Sequence, residues 1–321
     1  MTVKPSITNQ QINSIICNEN YDSYYVFYLL KYCIPFLQMY GSGTGSGVPI
    51  ISKNKFGKIK LTAESSLPLQ RRIASILSAY DNLIEANSRR IKILEQMAEN
   101  LYKEWFVRFR FPNYQNSAIE NGIPKGWKVE RLKDFGTIET GKTPSTEDAE
   151  NYGGDILFVK TPDMHNRFLI YDTSEKLSKK GHSLQPKKLI PANSIMVSCI
   201  GTAGVVSINL LPAHTNQQIN SIILSNKNDL SWLFFVCRSL KETIELFGAT
   251  GATMTNLSKG KFENLKVIVP PTSLREHFDK QVAPIFSQIN TLQLQSANLT
   301  RQRDLLLPRL MSGQLTPLTN Q

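Results

Sequence analysis

The nonapeptide TNQQINSII occupies residues 8–16, and the same nine letters return at residues 215–223, 207 positions later. At the same spacing, Phe27 matches Phe234 and Gly41 matches Gly248. After a shift of one residue, residues 52–56 match residues 258–262, and residues 59–61 match residues 265–267. An internal repeat of this length predicts a duplicated architecture.

Within one copy, the local patterns predict a strand, an apolar helix, a glycine-rich loop and a second short strand. Alternating Ile219, Ser221 and Ile223 favour a strand, and the apolar run from about Ser231 favours a helix that stops at Gly248. The second copy also has a front half, from Trp127 to about Asn209, of about 80 residues with no counterpart in the first copy.

Each copy is followed by apolar residues at steps of three and four, which predicts a coiled-coil seam in both regions. The seam positions are Ile73, Leu77, Ile84, Ile91, Leu94 and Leu101, and then Val282, Ile285, Ile289, Leu292, Leu299, Leu306 and Leu310. A helix over residues 68–106 would be roughly 55–60 Å long and act as a spacer. Asn87 and Ser296 interrupt the seams, and they either fix the register or are tolerated at a solvent edge.

These patterns predict an α+β protein, in which globular domains of mixed strands and helices are separated by long coiled-coil helices. The expected boundaries are a C-terminal remnant of a first domain at 1–67, a spacer helix at 68–110, a linker at 111–126, a complete second domain at 127–272, a second spacer helix at 273–313, and a tail at 314–321. The linker is rich in Pro, Asn and Gly and has no helical period.

The composition limits the possible functions. Lys and Arg number 37 against 26 for Asp and Glu, a net charge of +11 that slightly favours a polyanionic partner. The cysteines and histidines lack the spacing of a metal site, so no metal is expected. No secretory signal and no membrane-spanning run is evident, which predicts a cytoplasmic protein without a membrane partner.

Residues 136–143, GTIETGKT, match the phosphate-binding loop pattern letter for letter. The context opposes that function, because the preceding VERLKDF is polar and Pro144 follows at once, where a helix should begin. Signatures of other catalytic sites are also missing, so the sequence predicts no catalytic residues on this chain. Lys142 and Thr143 remain candidates for contact with a nucleic-acid phosphate.

Several segments in order carry a family resemblance: GWKVERLKDFGTIETGKTPS, LFVKTPDM, IPANSIMVSCIGTAGVVSI, HTNQQINSII, NLSKGKFENLKVIVPP and LLLPRLMSGQL. The chain closely resembles the specificity subunit of Type I restriction-modification systems. The resemblance implies two target-recognition domains that alternate with two antiparallel spacer helices, each domain reading half of a split double-stranded DNA site. It further implies that methyltransferase subunits, which use S-adenosylmethionine, and restriction subunits, which use ATP and Mg²⁺, supply all the chemistry.

Under this resemblance, basic and amide side chains are the candidate DNA contacts. The candidates are Lys142, Thr143, Lys160, Arg167, Lys179, Lys180, Thr202, Asn216, Gln217, Gln218, Lys259 and Lys261, together with the glycine loops at 201–204 and 248–253. For any single lysine, a solvated surface is an equally good explanation. Because both copies share TNQQINSII, we expect it to serve the framework or the DNA backbone, with base contacts from residues 147–188.

The chain departs from the family pattern at the front of the first recognition domain, which the repeat predicts to be truncated. Two explanations stay open. The chain is either a silent or assembly-only fragment that pairs through its coiled coil without reading DNA, or it pairs with a second copy or another fragment that completes the site.

Overall fold

The computed structural model describes residues 1–2, 4–41, 51–249 and 256–317. It divides into two compact units, the first formed by Met1–Arg90 with Leu292–Gln321 and the second by Ile91–Thr291. The helices of the described residues are α1 Ser23–Tyr32, α2 Ile34–Gly41, α3 Lys53–Phe56, α4 Leu67–Tyr102, α5 Thr161–Met164, α6 Lys179–Ser183, α7 Leu230–Ser239, α8 Lys241–Gly248, α9 Lys259–Glu263 and α10 Thr272–Met311.

The strands of the described residues all lie in the second unit. They are β1 Ile119–Glu120, β2 Ile123–Pro124, β3 Lys128–Arg131, β4 Gly136–Thr140, β5 Tyr152–Val159, β6 Leu169–Ile170, β7 Glu175–Leu177, β8 Ile195–Ser198, β9 Val206–Asn209, β10 Ala213–Thr215, β11 Ile219–Leu224 and β12 Lys266–Val269. The mixture of strands with two long helices confirms the α+β class predicted from the sequence.

The second unit is built around a five-stranded sheet in the order β4-β11-β8-β9-β6. Strand β11 pairs antiparallel with β4 on one side and with β8 on the other, so its first four residues are buried. A three-stranded sheet, β10-β5-β7, and the pair β12-β3 complete the unit. Helix α7 lies against this framework and buries Trp232, Phe234 and Phe235 completely or nearly so.

Aromatic side chains join the helical part of the second unit. At the end of α4, Tyr102 stacks on Phe235 with ring centroids 5.5 Å apart. In the π-helical turn that follows, Phe106 meets Phe278 of α10 edge-on at 4.9 Å. Trp127 packs with its ring centroid 6.1 Å from that of Phe106, so the start of the second predicted domain is fixed to the helix ends. Such pairs contribute about 0.5–1.5 kcal/mol each beyond their buried area.

Helices are the regular secondary structure among the described residues of the first unit, and its core lies between α1 and parts of α4 and α10. Tyr25, Tyr28 and Leu77 are buried there. The hydroxyl of Tyr28 donates to Asp81 at 2.7 Å, and Arg303 of α10 forms an ion pair with the same carboxylate. Burial raises the pKa of Asp81, but the hydrogen bonds from Tyr28 and Arg303 outweigh it and hold that pKa below its usual value.

The apolar positions assigned to the two helical seams are buried or half-buried in their own units. In the first unit these are Ile73, Leu77, Ile84, Leu292, Leu299, Leu306 and Leu310, and in the second they are Ile91, Leu94, Leu101, Val282, Ile285 and Ile289. Asn87 is also buried, and its Nδ2 donates to Ser296 Oγ at 3.3 Å. The two polar positions therefore face each other, which favours the register-fixing explanation over a solvent edge.

The repeat is conserved in the helices of the two units. Helices α1 and α2 begin and end 207 residues before α7 and α8. Helices α3 and α9 are capped alike, by Ser52 accepting from the Lys55 amide and by Ser258 accepting from the Lys261 amide. Helices shared at fixed spacing are what a duplicated architecture requires.

The strands are not shared, and here the sequence-based expectation was wrong. Residues 8–16 and 59–61 form no strand in the first unit, whereas their equivalents lie in β10, β11 and β12. The physical reason is pairing, because β10 pairs with β5, β11 with β4 and β8, and β12 with β3. All of these partner strands belong to residues 128–198, and without them a strand cannot satisfy its backbone groups.

Helix α10 continues without interruption past Pro284 and runs three residues beyond Pro308, so neither proline ends it. Most of the glycine segment at 41–47 and the loop at 250–253 lie outside the described residues. No helix of the described part of the chain is long and apolar enough to cross a bilayer.

Candidate nucleic-acid interface

A tight turn between β10 and β11 presents the second copy of the nonapeptide. Asn216 begins the turn, its Oδ1 accepting from the Gln218 amide and its Nδ2 donating to Gln218 Oε1, both at 3.2 Å. Gln217 stands exposed at the tip, where Thr143 Oγ1 donates to its Oε1 at 2.6 Å. The Nε2 of Gln217 has no hydrogen-bond acceptor among the described residues, so this amide can still donate to a ligand.

The turn is held by a network of polar side chains that reaches a neighbouring loop. Thr161 Oγ1, at the start of α5, donates to Gln218 Oε1 at 3.2 Å and lies 3.5 Å from Ser198 Oγ. Ser198 in turn donates to the carbonyl of Thr202 at 2.6 Å, inside the loop at 201–204. The turn and the loop are therefore positioned as one rigid assembly, since each buried polar group has a partner.

Gly141 lets the segment that carries Lys142 and Thr143 approach the turn. Its amide donates to the Ile219 carbonyl at 3.1 Å, and a Cβ at this position would lie 2.2 Å from the carbonyl oxygens of Thr215 and Asn216. No side chain fits there, so glycine is required by close backbone packing. The Lys142 amide donates to the Thr215 carbonyl at 2.9 Å, which fixes the lysine beside the turn.

The same contacts explain the match to the phosphate-loop pattern. Residues 136–140 are strand β4, paired in register with β11, and the residues that follow Lys142 are irregular rather than helical. A phosphate cradle needs a loop between a strand and a helix N-terminus. The two glycines of the pattern instead allow β4 to pack against β10 and β11.

Helix α9 is joined to the same assembly by main-chain bonds. The Cys199 amide donates to the Gln218 carbonyl at 2.8 Å, and the Leu257 amide donates to the Cys199 carbonyl at 2.9 Å. Leu257 immediately precedes the Ser258 cap of α9, whose exposed Lys259 and Lys261 therefore belong to the neighbourhood of the turn.

The structure separates the candidate lysines into two groups. Lys142, Lys179, Lys259 and Lys261 are exposed and form no ion pair with another described residue. Lys160 pairs with Glu175 at 2.5 Å, and Lys180 with Asp148 at 2.9 Å and Glu150 at 2.6 Å. A lysine already paired with a carboxylate must give up that partner before it can neutralise a phosphate, so the first group is better suited to DNA.

Three candidates lie away from the hydrogen-bonded assembly. Arg167 is exposed beside a cleft of about 370 Å³ that His165 and Tyr171 also line. Lys179 starts α6, which Ser178 caps by accepting from the Gly181 amide. Lys180 follows in the same helix and pairs with Asp148 and Glu150. None of the three side chains is hydrogen-bonded to the turn at 216–218, so the structure brings together the other sequence candidates but not Arg167, Lys179 and Lys180.

A histidine pair behind the turn was not anticipated from the sequence. His214, buried in β10, has its Nε2 3.0 Å from Nδ1 of His182 in α6. Burial, with the nearby His182 as a second cause, lowers the pKa of His214 to about 4.

Thr161 and Ser198 were missed as well, because only the fold brings residues so distant in sequence to the same turn. Nothing in the local sequence signals either set of contacts.

Residues 1–96 and 124–302 match the family model of the Type I restriction modification DNA specificity domain. The chain belongs to this family, which confirms the resemblance seen in its sequence motifs. The Type I restriction enzyme HindI specificity subunit of Haemophilus influenzae is 31% identical over 351 residues, covering 87% of this chain and 76% of that protein. The MjaIX specificity subunit of Methanocaldococcus jannaschii is 28% identical over 321 residues, covering 97% and 73%.

A solved structure shares the fold. The S subunit of the Type I restriction-modification system from M. genitalium aligns with a TM-score of 0.59 and 16% identity, covering 94% of this chain and 74% of that chain. At this identity the likeness concerns the fold alone.

Proposed function

We propose that the chain is a DNA sequence-recognition subunit, and that its second unit reads one half-site through the assembly around the β10–β11 turn. The observation that carries the proposal is the exposed Gln217 amide, which accepts a hydrogen bond from Thr143 on a turn that main-chain bonds connect to Lys142 and, through Cys199 and Leu257, to the start of α9. Because its Oε1 has a second lone pair beside the one that Thr143 occupies, this glutamine can make the paired hydrogen bonds by which adenine is read in the major groove. The proposal departs from the sequence-based expectation, which gave the nonapeptide a framework or backbone role and placed base contacts in residues 147–188.

The basic side chains would set position rather than sequence. Lys142 beside the turn and Lys259 and Lys261 on α9 can each neutralise a phosphate. Arg167 and Lys179 remain candidates for contacts elsewhere on the duplex. The second copy of the nonapeptide would then have two roles. Asn216 and Gln218, which bond mainly to each other, would hold the framework of the turn, and the exposed Gln217 would contact the DNA.

Activity would come from partner proteins bound to this chain in the cytoplasm. Methyltransferase subunits carrying S-adenosylmethionine would modify the DNA, and restriction subunits would use ATP and Mg²⁺. The two named relatives are specificity subunits of restriction enzymes, which supports such an assembly. This chain would contribute recognition and positioning, with the bipartite site set by the two recognition domains.

A second candidate function is an assembly fragment that pairs through its long helices without reading DNA. The observation in its favour is the first unit, where the nonapeptide equivalent to the β10–β11 turn forms no strand and is exposed. In this alternative the chain binds protein partners, among them a second copy of itself or another specificity fragment, and its affinity for DNA is weak and not sequence-dependent.

The test is methylation mapping in cells that express the chain with its methyltransferase subunit. Gln217→Ala is compared with Gln10→Ala, which removes the same residue from the first copy of the nonapeptide. We expect Gln217→Ala to lower methylation of one half-site motif by roughly tenfold or more, as expected for loss of a paired base contact worth about 1–3 kcal/mol. Equal effects of the two substitutions, or none, would contradict the assignment of the turn. A wild-type chain that yields no methylated motif would favour the assembly fragment.

A further inference from the structure

The last turn of α8 carries two large apolar side chains that are exposed to solvent. Leu246 is 74% exposed and Phe247 is 54% exposed. Among the described residues of the second unit, Leu246 is the most exposed of the large apolar side chains. The buried face of the helix is formed by Ile244 and Gly248, which are four residues apart. The pair therefore lies outside the core of the unit.

The same kind of pair occupies the equivalent positions of the first unit. Met39 and Tyr40, which lie 207 residues earlier at the end of α2, are 74% and 46% exposed. The surroundings of the two helices differ, because strands are described only in the second unit. Single apolar side chains on a surface need no explanation, but an adjacent pair that stays exposed in both copies of a repeat indicates a shared contact.

In the second unit, both ends of α8 are fixed to the candidate nucleic-acid interface. The Asn256 amide donates to the Gly248 carbonyl at 3.0 Å, and Asn256 also forms a β-bridge with the residue that precedes the loop at 201–204. A Cβ on Gly204 would lie 2.9 Å from Cα of Lys241, so the same loop packs against the first residue of α8. This loop is the one that the network around the β10–β11 turn holds in place.

The apolar pair is also close enough to the turn for both to contact one duplex. The Cys199 amide bonds to the Gln218 carbonyl and the Leu257 amide bonds to the Cys199 carbonyl, so two backbone spacings of about 4.8 Å separate the turn from the residue next to Asn256. One helical turn of DNA is about 34 Å long. The turn and the pair can therefore occupy neighbouring grooves of the same helical turn.

Lysines without carboxylate partners lie within reach of the pair. Lys259 and Lys261 of α9 are exposed and form no ion pair with another described residue. Lys259 follows Asn256 by three residues, a span of at most about 11 Å. Because the minor groove is about 6 Å wide, a lysine at this distance can reach the phosphates that border a groove occupied by the pair. The equivalent lysines of the first unit, Lys53 and Lys55, are exposed as well.

The charges on α8 itself favour contact with bases over contact with phosphates. Glu242 and Glu245 precede the pair, and Lys241 pairs with Glu245 at 3.9 Å. The C-terminal end of a helix also carries a partial negative charge. These groups repel phosphates, whereas apolar side chains can contact the faces of bases. Leucine, methionine and phenylalanine are among the side chains that proteins insert between base pairs from the minor groove.

We infer that Leu246 and Phe247 form an apolar wedge that inserts between two base pairs from the minor groove and partly unstacks them, while Lys259 and Lys261 hold the flanking phosphates. The equivalent pair of the first unit would act in the same way. The cost of insertion depends on how easily a base step unstacks, so the wedge adds sequence preference at a step that no hydrogen bond reads. The inference rests on the proposed function, because it requires that the second unit bind DNA.

The test uses 2-aminopurine, a base whose fluorescence rises when it is unstacked, in duplexes that carry the methylated motif. It replaces adenine at successive A·T pairs of the motif, its unread spacer and its flanks, and the full chain is then bound. We expect the wild type to raise the fluorescence by about threefold or more at one base step and to bend the duplex by about 20° or more, as measured by energy transfer between its ends.

Replacing Leu246→Ala together with Phe247→Ala should abolish the fluorescence rise and the bend, and should weaken DNA binding by about tenfold. The dependence of binding on salt should stay unchanged, because no phosphate contact is lost. Met97→Ala is the matched control, since Met97 on α4 is as exposed as Phe247, at 54%, and its loss should change neither signal. Leu246→Met with Phe247→Tyr installs the pair of the first unit and should keep the affinity within about twofold.

The inference alone is overturned if the wild type binds the motif with its salt dependence but neither unstacks nor bends it, or if the alanine pair does so as well as the wild type. An alanine pair that unstacks DNA normally but no longer retains the methyltransferase subunit would overturn it in favour of a protein contact. A wild-type chain that binds no DNA would overturn the proposed function together with the wedge.

Discussion

Gly141→Ala tests whether close packing between β4 and the β10–β11 turn positions the interface. The added Cβ would lie 2.2 Å from the carbonyl oxygens of Thr215 and Asn216, whereas ordinary contact begins near 3.4 Å. The backbone of the turn would have to retreat by about 1.2 Å, and overpacking of this kind costs about 1–3 kcal/mol. For a unit of this size, that loss corresponds to a decrease in melting temperature of roughly 3–10 °C.

The same retreat would separate Thr143 from Gln217, so the affinity for DNA should fall as well. The assays are thermal unfolding by circular dichroism and DNA binding by fluorescence anisotropy. Gly260→Ala is the control, because a Cβ on this glycine of α9 meets nothing within 4 Å. It should be neutral or stabilising by up to about 1 kcal/mol, since alanine is the better helix former. If Gly141→Ala melts and binds as Gly260→Ala does, close packing at the turn does not position the interface.

Three further predictions concern charge and protonation. Lys142→Gln should weaken DNA binding and reduce the slope of the logarithm of the DNA association constant against the logarithm of the salt concentration by about one. Lys180→Gln, which removes a lysine already paired with carboxylates, should change that slope less. Equal slopes for the two variants would contradict the grouping of the lysines. Burial lowers the pKa of the His214 imidazole from 6.5 to about 4 in the folded protein, so the unfolded chain binds a proton on this ring at a higher pH than the folded one does. The free energy of unfolding should therefore fall as the pH drops from about 6.5 toward 4. A pH titration of urea unfolding should show this decrease in the wild type and lack it in a folded His214→Gln variant. Asp81→Ala should destabilise the first unit by about 1–3 kcal/mol, since the hydroxyl of Tyr28 loses its acceptor and Arg303 keeps only its ion pair with the more exposed Asp304. A change below about 0.5 kcal/mol in chemical denaturation would exclude that role.

The helices were predictable because their signals are local. The three- and four-residue spacing of Ile73, Leu77 and Ile84 specifies an apolar helix face without reference to any other segment. The sequence left open whether Asn87 and Ser296 fix the register or lie at a solvent edge, and only the structure shows that they face each other. A helix satisfies its own backbone hydrogen bonds, so a sequence pattern that fits a helix is sufficient to predict one.

The contacts of the interface could not be predicted in the same way. Thr143 and Gln217 are 74 residues apart in sequence, and the pairing of Lys160 with Glu175 depends on how β5 and β7 align. Sequence spacing grouped the lysines as one basic set, but the fold assigns carboxylates to only some of them. Whether a lysine is available to a phosphate is thus a property of tertiary structure, and composition cannot supply it.

The two copies of TNQQINSII show how far a segment depends on its partners. The letters are identical, so β propensity, hydrophobicity and turn signals are identical too. One copy forms parts of β10 and β11, where neighbouring strands satisfy its backbone and bury Ile219 and Ile222, and the other copy is irregular and leaves Ile12 and Ile15 about half exposed. The difference in structure must therefore come from residues 128–198, which supply the partner strands. A repeat shared by two domains fixes which interactions are possible, and the segment that packs against it decides which of them form.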